Sequence, residues 1–172
     1  MWFTTDEFNF FPALKPEFYD NTITSAFPAK LVNLGKYGSM VAVVSLNNPS
    51  TLAIWVNSYS TGTPGGAGAG TTYPLVNASY RKSTATVSTN ATGSGAETLG
   101  ARTAMGTTAI TVTLATTSNT NYYIEVKSDD LSDGFPYVGI AISCSATAST
   151  GMAVNYILKP RYPQNAMMTA VS

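Results

Sequence analysis

The chain predicts an all-β fold, an antiparallel sandwich or barrel of about eight short strands. Three observations carry that expectation. Apolar side chains recur at every second position in run after run, the period of a strand with one buried face. Clusters of Asn, Asp, Gly, Pro and Ser separate these runs at the spacing of an all-β domain. Between Tyr37 and Tyr80, and again between Gly134 and Leu158, there is no Asp, Glu, Lys or Arg, only small and β-prone residues with a few aromatics. No 3.6-residue pattern of useful length interrupts the alternation.

Residues 1–30 stand apart from the rest. They hold Trp2, Phe3, Phe8, Phe10, Phe11, Phe18, Tyr19 and Phe27, together with Pro12, Pro16 and Pro28, and show no sustained period. The segment is too aromatic for a disordered tail and too irregular for a long helix. It reads either as a flap packed on its own domain or as an arm laid across a neighbouring subunit. In the second case the eight aromatics are the anchors of the interface.

The sandwich is expected over residues 31–163, with residues 164–172 as a C-terminal tail. Its clearest strands follow in order. Met40, Ala42, Val44 and Leu46 share a face; so do Leu52, Ile54 and Val56, with Trp55 opposite. Asn47-Asn48-Pro49 between them is a turn signal, and predicts that the two strands pair as a hairpin. Weaker strands are expected near residues 72–80, 83–88 and 98–103. Ile110, Val112 and Leu114 alternate with Thr111 and Thr113, and Tyr122, Ile124 and Val126 with Tyr123 and Glu125. Val138, Ile140, Ile142 and Cys144 share the face of the next strand; Met152, Val154, Tyr156 and Leu158 close the set. The Gly-rich run from Ser60 to Gly70 and the small-residue run from Ser88 to Gly95 read as surface loops.

With 172 residues, the chain suits one domain with a two-sheet core that buries roughly two-thirds of its unfolded surface. Nine bases against nine acids give no field for nucleic acid or an anionic membrane. Charged residues make up 10%, against a typical share of about 25%. A neutral surface this poor in charge favours association, so either the domain is merely neutral or much of its surface is covered in its working state. Residues 1–7 lack the basic and apolar regions of a secretion signal, and no apolar run approaches the roughly 20 residues of a membrane helix.

The residues with chemistry to offer are few. There is no histidine, so Cys144, the sole cysteine, has no imidazole to activate it and reads as a small buried apolar side chain. Asp129, Asp130 and Asp133 precede Gly134, but the EF-hand order and its closing glutamate are missing. Their expected role is a turn in which Asp side chains accept from nearby backbone amides. The glycines of residues 62–70 lack the Lys-Ser/Thr of a phosphate cradle. Arg81, Lys82 and Arg102 are too scattered for a basic patch. The expectation is a non-enzymatic module without cofactor or metal. An aromatic platform for carbohydrate, drawn from the abundant tyrosines, is the remaining binding chemistry.

One stretch carries a family resemblance. A strand ending in acids, Tyr123-Ile124-Glu125-Val126 then Asp129-Asp130-Leu131, precedes the aromatic strand Gly134-Phe135-Pro136-Tyr137-Val138-Gly139-Ile140. An apolar strand then closes on Ile157-Leu158-Lys159-Pro160-Arg161-Tyr162-Pro163. Over residues 121–163 this resembles small virion proteins of tailed bacteriophages that act as capsid decoration or cement. The resemblance implies a β-sandwich of jelly-roll type, often trimeric, made in the host cytoplasm and seated on the outer capsid surface of the virion. Its partners would be the major capsid protein and further copies of the chain, and its role would be reinforcement without catalysis. The alternative of a different class is a receptor- or glycan-binding head of a virion fibre or tail, and a third is a pilin-like or surface-layer subunit.

Overall fold

The computed structural model describes residues 9–19, 23–28, 30–47, 51–62, 77–83, 99–106, 109–113, 119–144 and 150–161. Eleven strands follow one another: β1 (Asn9–Tyr19), β2 (Ile23–Pro28), β3 (Val32–Asn33), β4 (Tyr37–Asn47), β5 (Thr51–Tyr59) and β6 (Ala78–Lys82). They continue as β7 (Thr103–Gly106), β8 (Ile110–Thr113), β9 (Asn119–Lys127), β10 (Tyr137–Cys144) and β11 (Thr150–Pro160). A single 3-10 turn, Ser128–Asp130, is the one helical element among the described residues. One sheet has six strands in the order β1-β11-β4-β9-β6-β7. The other runs β2-β10-β5-β8, with the short β3 also paired to β10.

The topology follows from a simple pairing rule. With β3 and the β6–β7 hairpin set aside, eight strands remain. The first pairs with the last, β1 with β11, and the second with the seventh, β2 with β10. The third pairs with the sixth, β4 with β9, and the fourth with the fifth, β5 with β8. The chain is therefore one long antiparallel ribbon doubled over on itself. Its two halves join side by side through β11–β4 and β10–β5. That is a jelly roll, and the β6–β7 hairpin widens one of its sheets.

Two expectations change. Asn47-Asn48-Pro49 does not close a hairpin: β4 pairs with β11 and β9 in one sheet, β5 with β10 and β8 in the other. Alternation tells which side chains of a strand are buried together, but not which strand lies beside it. Within the irregular arm or flap expected over residues 1–30, residues 9–19 and 23–28 are instead strands paired into the two sheets. Their period is hidden by Pro12 and Pro16 and by register shifts between Pro12 and Leu14 and between Leu14 and Glu17. Prolines are tolerated there because β1 is an edge strand.

The weaker strand expectations hold only in part. The one near residues 72–80 becomes β6, and the one near 98–103 becomes a Leu99–Ser83 bridge followed by β7. Residues 84–88 and both small-residue loops from residue 63 onward lie outside the described residues, as does the tail 164–172.

The core lies between the sheets, where the alternation placed it. Met40, Ala42, Val44 and Leu46 from β4 are buried with Ile124 and Val126 from β9 and Val154, Tyr156 and Leu158 from β11. Leu52, Ile54, Val56, Val138, Ile140 and Ile142 face them from the second sheet. Cys144 lies opposite Leu52 at the end of that run, while its side chain is outside the described set. Among the described residues, a hydrogen bond from Ile140 to Tyr156 joins the sheets directly. β10 pairs Ala141 with Pro28 and Val138 with Val32, so its ladder on that side is interrupted at Gly139 and Ile140. The backbone N–H of Ile140 donates across the core to the Tyr156 hydroxyl at 3.0 Å. A buried amide must find a partner, and the tyrosine supplies it from the facing sheet.

Candidate functional site

Because the inner faces form the core, the exposed side chains of the described strands lie on the outer faces and edges. The register lays a row of side chains straight across the six-stranded sheet: Phe10, Ile157, Val41, Glu125, Ser79 and Ala104. A second row runs alongside: Pro12, Asn155, Val43, Tyr123 and Arg81. The first row is apolar from Phe10 to Val41 and polar at Glu125 and Ser79. Val41, Val43, Tyr123 and Ile157 are only half-buried, so this face is not a second core. At its margin Phe10 is 68% exposed, the most exposed large apolar side chain among the described residues.

Of the eight aromatics expected to anchor an interface, Phe10 is thus on the surface. Phe11, one position on, turns inward and packs against the core. Phe18 and Tyr19 sit in β1 and Phe27 in β2, with side chains outside the described set. Trp2, Phe3 and Phe8 lie outside the described residues altogether.

At the other end of the rows two hollows adjoin, of about 400 Å³ and 210 Å³. They share Ser79, Arg102 and Glu125. The Arg102 guanidinium is held in place from two sides: its Nε donates to the Ser79 hydroxyl at 2.7 Å, and an Nη lies 2.8 Å from Glu125 Oε2. Arg102 reaches this spot because Leu99 bridges to Ser83 and the Gly100 amide donates to the Lys82 carbonyl. Those contacts fold residues 99–102 back along β6. Lys127 and Asp130 border the larger hollow; Val41, Tyr123 and the 49%-exposed Leu99 border the smaller. No sequence signal joined Arg102 to Glu125, since only the β6–β9 register and this bend bring them together.

The segment that carries the family resemblance is built around a clasp. The carboxylate of Asp130 accepts from the Lys127 amide at 3.3 Å, the turn expected of the acidic run. Gly134, at φ +82°, takes the left-handed conformation that suits glycine as the chain turns toward β10. Arg161, just past β11, donates to the Ser128 hydroxyl at 2.9 Å. The acid turn and the Pro-Arg motif therefore meet in space, 33 residues apart in the chain. Among the described residues no three His, Cys, Asp or Glu side chains gather as metal ligands.

The second sheet is less open on its outside than alternation implies. Asn57 and Tyr59, on the outward side of β5, are buried, and so is Ala141 on β10. Asn57 Oδ1 has no hydrogen-bond partner there. Elsewhere, burial and the nearby Tyr80 push the Tyr122 hydroxyl up to about 12. Burial pushes Tyr156 up as well, against the opposing effect of its bond from Ile140. Among the described residues no helix is long and apolar enough to cross a membrane. Comparison with known proteins finds no family description, no curated protein and no solved structure that matches the chain.

Proposed function

We propose that the chain is a non-enzymatic virion structural protein, a cement or decoration protein that binds the outer surface of a phage capsid lattice and stabilises it. The observation that carries this reading is Phe10, an aromatic side chain 68% exposed at the edge of a half-buried apolar row. Burying such a ring contributes roughly 1.5–3 kcal/mol, and many copies on one lattice multiply that through avidity. The lack of charge points the same way, since an uncharged face is cheap to desolvate against a partner. The absence of histidine and the engagement of Glu125 by Arg102 support a role without catalysis. The jelly roll is a fold that capsid and lectin domains share, which fits by analogy alone. In this reading the major capsid protein is the partner, the protein works as a homotrimer, and neither nucleic acid nor membrane is involved.

The test is imaging of capsids assembled from the same genome with and without the chain. Regular added density on the outer lattice, and particles that survive heating better, are expected. Bare capsids at saturating protein would remove the proposal. The second reading, a receptor- or glycan-binding head of a fibre or tail, draws on Tyr123 in the wall of the smaller hollow.

A further inference from the structure

We propose that the paired hollows on the β6–β7 side of the six-stranded sheet are a binding site for an uncharged saccharide. This deepens the second reading, glycan binding, on which it rests, and does not depend on capsid binding. Phe10 on β1 and Ala104 on β7 lie at opposite margins of the sheet, five strand spacings or about 24 Å apart, while the smaller hollow reaches inward to Val41 on β4.

The chemistry of the walls selects the ligand. The larger hollow is bordered by Arg102 and Lys127 on the cationic side and by Glu125 and Asp130 on the anionic side, two of each, while Arg81 at the smaller hollow adds one positive charge to the pair of hollows. Phosphate or carboxylate ligands would meet a balanced wall in the larger hollow and would have to compete with Glu125 for the guanidinium. A sugar hydroxyl both donates and accepts, and needs the two kinds of partner side by side. The Arg102–Glu125 pair provides them within 2.8 Å, fixed by the Ser79 hydroxyl behind the guanidinium. A pyranose ring also presents an apolar C–H face. The adjoining hollow offers Val41, Tyr123 and the exposed Leu99 to receive it. The larger hollow, at about 400 Å³, falls in the range of small-ligand sites and admits one or two rings. Arg102 and Glu125 keep side-chain exposures of 50% and 44%. Binding at one site is therefore weak, with a dissociation constant on the order of millimolar, and gains strength when many copies face a glycan-covered surface.

The experiment uses the full chain and saturation-transfer NMR with the methyl glycosides of glucose, galactose, mannose and N-acetylglucosamine. Inorganic phosphate and acetate serve as anionic arms. At least one glycoside should receive saturation, and backbone shifts should cluster at Leu99, Ala104, Tyr123 and Glu125. Arg102→Ala and Glu125→Gln should each weaken that binding by about tenfold or more, with thermal melts unchanged. Leu99→Ala, a truncation at an exposed position, gives the same reading from the apolar side should either polar variant disturb the fold. Silence from all four glycosides overturns the proposal. So does binding that the variants leave intact, or phosphate binding at these residues in place of sugar.

Discussion

At the scale of single residues, Tyr156 shows how a side chain can complete a backbone ladder. Its hydroxyl accepts from Ile140 where β10 has lost its neighbour between β2 and β3. Tyr156→Phe keeps the ring and strands the amide, so unfolding in urea should show a loss of about 1–3 kcal/mol. The alternation of Met152, Val154, Tyr156 and Leu158 puts the tyrosine on the buried face, and that much was legible in the sequence. Which amide of the opposite sheet lacked a partner was not, because strand order decides it. Tyr122 yields a second prediction. Its folded pKa is raised, to about 12, above an unfolded value near 10. Its contribution is thus fully present below about pH 10 and lost as pH rises toward 12, on the order of 2–3 kcal/mol in all. Urea midpoints should hold steady up to about pH 10 and then fall. In Tyr122→Phe the fall should be shallower, and an equal fall would show that other groups drive it.

At the scale of elements, β1 decides between a dispensable arm and an integral strand. It covers one whole side of β11 from Leu158 to Thr150. Deleting residues 2–20 should therefore abolish the cooperative melt, because β11 would lose its ladder on that side and the core one of its flanks. A truncated protein that melts like the full chain would restore the arm reading. Sequence could not reveal β1, since two prolines and two register shifts erase its period. The later strands kept theirs, and β4, β5, β9, β10 and β11 fall where alternation placed them. The Pro-Arg motif acts on this scale too. Arg161→Ala should free the end of β11 from the Ser128 turn and lower stability by no more than about 1 kcal/mol, as expected for an exposed bond. Amide hydrogen exchange at Lys159 and Lys127 would read that local loosening.

For the whole molecule, the neutral composition and the exposed edge of the jelly roll support the proposed packing against other protein surfaces. Fold class was legible because period-2 alternation is a local property. The pairing of Arg102 with Glu125 was not, because it depends on a bend after Leu99 and on register between β6 and β9. Phe10 was legible as an aromatic, but its exposure became visible only once β1 took its place at the edge. Light scattering at micromolar concentration should return a trimer mass, and a monomer that stays monomeric on capsids would contradict that assembly. The most direct measurement is co-sedimentation with capsid particles, comparing the unaltered chain with Phe10→Asp. The unaltered chain should pellet with the particles. Phe10→Asp, its melt within about 0.5 kcal/mol of the parent as expected for an exposed position, should stay in the supernatant. Failure of the unaltered chain to pellet, or full pelleting of the folded variant, would contradict capsid binding through this face.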